Sequence, residues 1–234
     1  MSGIVYIVSA PSGSGKSTLT AEMLRTIPGL EFSISYTTRP PRGSERNGVE
    51  YFFVSRQDFE RMIEQGEFLE HASVFGEYYG TSRHFVEAAA ARGNDLLLDI
   101  DVQGAAQVKQ NLPEAVSTFI LPPSRDELEM RLRRRSQAER VDKAVINRRL
   151  NAAGKEIENY ANYDYILVND QLELSIDELK AIILSERLRR SGKLPSGEDE
   201  NTVLETANRC RLENVSGRVQ EILASFSPAL PRNG

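Results

Sequence analysis

The sequence predicts an α/β protein: a three-layer core built on a parallel sheet, a small mixed α/β insertion, and a separate helical segment. Three observations carry this. A buried strand, a glycine-rich loop and a helix follow one another at the N-terminus. Beyond residue 84, short apolar runs alternate with helical segments, the pattern of parallel strands joined by crossover helices. Between them, residues 34–83 hold short strand-like pieces and a turn-rich stretch that cannot continue a helix. The core is therefore expected over 1–33, 84–123 and 156–190, the insertion over 34–83, the helical segment over 124–155, and a C-terminal extension over 191–234.

Ile4 to Val8 is a β-branched and aromatic run, as in a strand buried on both faces. Leu19, Met23 and Leu24 recur at helical spacing, and this helix should end near Pro28 and Gly29. Between strand and helix lies APSGSGKST, residues Ala10, Pro11, Ser12, Gly13, Ser14, Gly15, Lys16, Ser17 and Thr18. In that context the loop reads as a phosphate site. Its glycines let the backbone approach phosphate oxygens, and the helix N-terminus adds a positive dipole. Lys16 would reach the β- and γ-phosphates of a bound nucleotide, and the Ser17 hydroxyl would bind Mg²⁺. Ala10 stands where the usual pattern has glycine, so the loop must accept a residue that is costlier at positive φ.

Phe32, Ile34 and Tyr36 alternate with serines as in a half-exposed strand, and Tyr51 to Val54 form the next. Ser55 or Asp58 can cap a helix that stops near Gly66, with short strands following around Phe68 to His71 and Ser73 to Tyr79. From Phe85 to Arg92 the chain is helical until Gly93. Leu96 to Asp101 is an apolar strand closing on the acids Asp99 and Asp101, and Gln103 to Asn111 a helix. Val116 to Leu121 is a strand, Asp126 to Arg135 and Val145 to Tyr160 are charged helices, Tyr165 to Val168 a last strand, and Ile176 to Arg190 a closing helix. The polar, acidic stretch SGKLPSGEDEN after Arg190 reads as a flexible linker, followed by a short amphipathic helix over 214–226 and a fraying end, SPALPRNG.

Composition narrows the function classes. With 40% hydrophobic and 27% charged residues in 234, the chain can bury a large core. It has no apolar run near the roughly 18 residues of a membrane span, and a cytoplasmic location is expected. A net charge of −5 speaks against nucleic-acid binding. A single cysteine, Cys210, excludes an internal disulfide, and His71 and His84 give no metal cluster with it. Oligomeric state is left open.

Three further constellations carry chemistry. Arg39 and Arg42 lie a short turn apart after a strand, close in sequence to Tyr51, and two guanidinium groups there can converge on one phosphate. Glu70, Tyr79 and Thr81 follow in the same insertion and place an acid beside a phosphomonoester pocket. Asp99 and Asp101 can hold Mg²⁺ or orient an acceptor, or else serve as a cap. In MRLRRRSQAER and NRRL the arginines are too clustered for helix propensity to explain.

The motifs SAPSGSGKST, SYTTRPPR, EYFFV, FLEHA, YYGTS, LDIDVQG and YDYILVND, in this order, resemble guanylate kinase from Ile4 to about Arg190. The resemblance implies a P-loop NTPase core, a GMP-binding insertion over 34–83, and an arginine-bearing lid over 124–155 that closes over ATP. It implies transfer of the ATP γ-phosphoryl group to GMP with Mg²⁺, with GMP and ATP as small-molecule partners. By motif, Arg39, Arg42, Tyr51 and Tyr79 match phosphate-binding positions of GMP, and Ser35, Glu70 and Thr81 match guanine-side positions. Asp101 lies beside the GMP site, Asp99 is a metal candidate with Ser17, and Asn169 matches an adenine-proximal position. Arg131, Arg135 and Arg149 match lid residues that act with Lys16 and Arg42 on the transferring phosphoryl group, while Arg133, Arg134 and Arg148 read as surface charges. Two other readings stay open at this point: a related kinase acting on a ribose bisphosphate, and a non-catalytic binding module of the same family, which the intact Gly15, Lys16 and Ser17 disfavour.

Overall fold

The apolar runs fold as strands and the periodic segments as helices in a computed structural model that describes residues 3–74, 76–139 and 143–226, without the side chains of 135–139, 143 and 216. In chain order the elements are β1 (Val5–Ser9), α1 (Lys16–Thr26), β2 (Leu30–Phe32), β3 (Tyr36–Thr37), β4 (Phe52–Phe53), α2 (Arg56–Glu64), β5 (Phe68–Val74), β6 (Glu77–Ser82), α3 (Arg83–Arg92), β7 (Asp95–Asp99), α4 (Val102–Asn111), β8 (Val116–Leu121), α5 (Arg125–Glu139), α6 (Lys143–Ile157), β9 (Tyr165–Val168), α7 (Leu172–Ser191), α8 (Glu198–Arg209) and α9 (Ser216–Phe226). The chain divides into two units, one formed by Met1–Val8 and Met23–Ser117, the other by Ser9–Glu22 and Thr118–Gly234.

In the first unit β7 pairs in parallel with both β1 and β2. Leu96, Leu97 and Leu98 are all buried, which explains why this strand reads as a continuous apolar run rather than an alternating one. Asp95 accepts the Ile4 N–H at 2.6 Å and so satisfies a backbone donor inside the unit. The insertion forms its own sheet in the order β4-β3-β6-β5. Its core is Phe59, Met62 and Phe68, with Tyr36, Val54, Ile63 and Tyr78 against them. Ser55 caps α2, accepting the Asp58 N–H at 3.0 Å while its own hydroxyl donates to the Asp58 carboxylate at 2.6 Å.

The antiparallel pair β5–β6 is irregular: Phe68 faces Ser82 but Glu70 faces Thr81, so two residues of β5 oppose one of β6. Such a bulge re-aims the side chain that follows it. Helix α4 is tied along β5 by Gln107, which accepts the His71 N–H at 3.2 Å and donates to the His71 carbonyl at 2.8 Å, and by Asn111, which donates to the Leu69 carbonyl at 2.8 Å.

In the second unit β8 and β9 pair in parallel, and Leu128, Leu132, Ile146, Leu150 and Ala153 close the α5–α6 pair, with Phe226 of α9 packed against them. The linker expected from Ser191 ends sooner than its composition implied, because α8 begins at Glu198. Glu198, Asp199 and Glu200 fill its first turn, where acids meet the positive end of the helix dipole, so the same charges that resemble a solvated linker favour a helix start. Beyond α8 the chain returns to β9: the Ile166 N–H donates to the Cys210 carbonyl at 2.8 Å and the Leu212 N–H to the Asp164 carbonyl at 3.3 Å. Arg211 stacks over the Tyr165 ring and donates to its hydroxyl at 2.9 Å, and that hydroxyl also bonds Glu186. Helix α9 occupies the expected place, and SPALPRNG lies outside the described residues. Among the described residues no helix is long and apolar enough to cross a membrane.

Ala207, Cys210, Val219 and Ile222 of this C-terminal segment are buried. Removing Val219 and Ile222 alone forfeits about 3 kcal/mol or more of apolar burial. A chain ending at Gly192 should therefore melt about 6 °C or more below the full chain by scanning calorimetry. An unchanged melting temperature would show that the segment adds nothing to the cooperative unit.

Candidate functional site

The candidate residues fall into a set in the second unit, around the glycine loop, and a set in the first, around Arg39 and Glu70.

The loop of residues 10–15 leads from β1 to α1, and its left-handed turns fall on Gly13, with φ 97°, and Gly15, with φ 93°. Ala10 stands ahead of both, directly after β1. Space is also tight at both glycines. A Cβ on Gly13 would lie 3.0 Å from Leu128 and from Leu132, and one on Gly15 only 2.2 Å from the Asn169 amide. The Ser14 N–H donates to the Pro11 carbonyl at 3.1 Å and the Thr18 N–H to the Gly15 carbonyl at 3.2 Å, closing the loop and starting the helix. Lys16 opens α1, with the Ser17 hydroxyl exposed beside it. The Ser14 hydroxyl is fully buried and finds no partner among the described residues.

Asn169, at the end of β9, is nearly buried and donates through Nδ2 to the Ser14 carbonyl at 2.7 Å. Its own carbonyl accepts a guanidinium N–H of Arg131 at 3.0 Å, and Arg131 Nε donates to Glu127 at 2.8 Å. An Asn after a strand thus acts as a brace, linking the arginine-bearing helix α5 to the loop. Arg149 is half-buried on α6; Arg135 lies on α5 with its side chain outside the described residues. Arg133 and Arg134 are exposed along α5 and Arg148 along α6, as expected of surface charges.

In the first unit Arg39 is 6% exposed. Such a group must be paired, and both arms of its fork are used: Nη1 donates to Glu45 at 2.9 Å and to the Pro40 carbonyl at 2.8 Å, and Nη2 to Glu45 at 3.0 Å. Its guanidinium carbon sits 5.2 Å from the Tyr51 ring and 5.8 Å from that of Phe53. Tyr79 packs edge-on to Tyr51 at 5.9 Å. Burial, then the charge of Asp99, push the Tyr51 hydroxyl above its ordinary pKa, keeping it a neutral donor. Arg42 is exposed and joins this cluster through its backbone, whose N–H donates to Glu45 at 2.7 Å. Ser35 is half-buried before β3, and its carbonyl accepts the Phe52 N–H at 2.9 Å.

Glu70 is 5% exposed and accepts the Thr81 hydroxyl at 2.6 Å. Burial, opposed by that bond and reinforced by the charge of Asp101, raises its carboxyl to about 7. Asp101 caps α4: its Oδ1 accepts the N–H groups of Gln103 at 3.0 Å and Gly104 at 2.8 Å. The capping role that sequence could not separate from a ligand role is therefore real for Asp101, and it holds this acid beside Glu70. Sequence reasoning passed over Glu45 and Gly104. Glu45 had a signal, an acid within the arginine-rich turn; Gly104 closes the motif LDIDVQG but gained no role from it, since its contact is with a residue 34 positions away.

Comparison with known proteins agrees on one family. The guanylate kinase family model matches residues 2–186. The chain is 61% identical to the guanylate kinase of Koribacter versatilis, covering 98% of each. It is 51% identical to that of Escherichia coli K12 over 81% of this chain and 91% of the relative. Among solved structures, that of guanylate kinase from Anaplasma phagocytophilum superposes with a TM-score of 0.65 at 34% identity, covering 79% of this chain and 86% of the other.

The raised Glu70 carboxyl has a stability consequence whose sign is fixed. Below pH 4.5 the group is protonated folded or unfolded and carries no penalty; the penalty grows as pH rises toward about 7 and is complete above it. Glu70→Gln, which keeps the acceptor for Thr81, should leave the ligand-free protein unchanged near pH 4.5 and stabilise it by on the order of 3 kcal/mol at pH 8. Thermal melts at both pH values read this directly; equal effects at the two would mean that burial does not raise the Glu70 carboxyl.

Proposed function

The chain belongs to the guanylate kinase family, and from that premise we propose that it transfers the γ-phosphoryl group of ATP to GMP, giving ADP and GDP. The observation that carries the reading is Glu70. A buried carboxyl held on one side by Thr81 suits a ligand edge with two adjacent donors. Guanine offers such an edge in its N1–H and 2-amino groups; adenine has an unprotonated N1 and no 2-amino group. Leaving the acid unpaired would cost about 1–3 kcal/mol, enough to discriminate strongly against AMP.

The other residues take their roles from chemistry and from family motifs. Arg39, Arg42, Tyr51 and Tyr79 would hold the GMP phosphate, with a dianion replacing Glu45 on the Arg39 fork. Ser35 and Thr81 would complete the base site, with Asp101 beside it. The loop from Ala10 to Thr18 would cradle the ATP phosphates through backbone N–H groups, and Asn169 would border the adenine. No covalent enzyme intermediate is needed, because phosphoryl transfer asks the protein to place an acceptor oxygen in line and to neutralise charge spread over the migrating group. Lys16, Arg131, Arg135 and Arg149 would supply that charge.

The residues present also fit Mg²⁺. Among the described residues no three His, Cys, Asp or Glu side chains gather as a cage, whereas Mg²⁺ commonly takes one or two protein oxygens and fills the rest of its shell with water and phosphate. Ser17, exposed on the first turn of α1, would hold it, and Asp99 is the candidate acid taken from the sequence. When bound, the ion supplies Lewis-acid neutralisation of the phosphate oxygens. A cytoplasmic location accords with this use of ATP and GMP.

A coupled assay of ADP release, run with ATP, Mg²⁺ and GMP, dGMP, AMP, CMP or UMP, tests the reading. GMP should be turned over far faster than AMP, CMP and UMP. Lys16→Ala should lower kcat by about 10²–10³ with the fold kept by circular dichroism. Equal use of AMP and GMP would remove Glu70 from base recognition, and a near-normal Lys16→Ala enzyme would remove the loop from the mechanism.

A further inference from the structure

Gly104 is the third residue of α4 and is buried. It is not among the left-handed glycines, so its backbone asks for no special residue. A helix interior favours alanine over glycine, and Ala105 and Ala106 follow it directly. Space supplies the reason for glycine. A Cβ built on Gly104 would lie 2.6 Å from Glu70 Oε2 and 3.1 Å from Glu70 Cδ, while its next neighbour, Ile100 Cβ, is at an ordinary 3.4 Å. The Gly104 N–H meanwhile donates to Asp101 at 2.8 Å. One residue thus seats one carboxylate against its bare Cα and anchors a second by its N–H.

We propose that Gly104 is a specificity-determining positioning residue: its missing side chain is the seat that holds the Glu70 carboxylate where a guanine edge can meet it. The inference rests on Glu70 as the base-edge acceptor and goes beyond it by assigning the position that aims it. When a methyl group enters at 104, one of two bodies must give way. Helix α4 is held to β5 by both bonds of Gln107 with His71 and by that of Asn111 with Leu69, so it cannot retreat without breaking them. The carboxylate is the far end of a flexible side chain and yields instead. It leaves its bond with the Thr81 hydroxyl and the position set by the β5–β6 bulge. The fold survives while the base site is spoiled.

Steady-state kinetics of the full-length enzyme, with GMP and ATP varied separately, test this on Gly104→Ala, Glu70→Gln, Glu70→Asp and the double variant Gly104→Ala/Glu70→Asp. Gly104→Ala should raise KM for GMP by about tenfold or more, with KM for ATP and the melting temperature little changed. Because aspartate is one methylene shorter, Glu70→Asp should cost less in the Gly104→Ala background than in the wild type, a coupling that general loosening of the core would not produce. If Glu70→Gln raises KM for GMP but Gly104→Ala does not, the seat is refuted. If the two substitutions are additive, or KM for both substrates rises together, Gly104 is merely a packing position. If Glu70→Gln leaves KM for GMP untouched, the reading of Glu70 itself fails, whatever Gly104→Ala does.

Discussion

A carboxyl group buried next to another acid is the constraint around which the first unit is arranged. Glu70 loses its hydration and faces the charge of Asp101, and both effects favour its protonated form. Several features limit the damage. Thr81 donates a hydroxyl, the bulge in β5 places the acid opposite that donor, and Asp101 is engaged by two backbone N–H groups at the start of α4. Even so, a residual destabilisation stays in the ligand-free protein. A ligand that brings two donors to the acid relieves it, so part of what folding forgoes becomes selectivity in binding.

Arg39 meets the opposite problem in the same unit. A nearly buried guanidinium would be untenable alone, and Glu45 supplies a bidentate partner while Tyr51 and Phe53 cover its faces. The arginine is thereby fixed before any ligand arrives. A carboxylate and a phosphate present similar oxygen spacing to the fork, but a phosphate carries more charge, so exchange of one for the other needs no rebuilding of the arginine. The loop in the second unit works differently. It relies on backbone groups and therefore on glycines at positive φ, which is why it can be read from a nine-residue string.

That difference explains what was legible in the sequence. The glycine loop, the α/β alternation and the cap at Ser55 are local patterns, set by residues within a turn of one another, and they needed no tertiary information. The residues around Arg39 and Glu70 were recognisable as a set by their motifs, though not by their contacts. The role of Gly104 was not readable from its motif because its meaning lies in Glu70, and the two meet through the packing of α4 on β5. Helix α8 was concealed for a different reason: acidic residues serve equally as a solvated linker and as the first turn of a helix, and only the burial of Ala207 and Cys210 further on distinguishes the two.

The C-terminal segment is also more than an appendage to the family domain. The family model ends at residue 186, yet the Koribacter versatilis relative aligns across 98% of the chain, so the segment is shared beyond this protein. Its last described residue, Phe226, packs on the cluster that contains Leu128 and Leu132, and these two leucines lie 3.0 Å from where a Cβ on Gly13 would stand. Ser225 accepts the first N–H of α5 at 3.1 Å. One continuous core therefore runs from α9 through α5 to the glycine loop. Because packed interiors transmit small shifts rather than absorbing them, the far end of the chain helps set the position of helix α5 and, through Arg131 and Asn169, that of the loop itself.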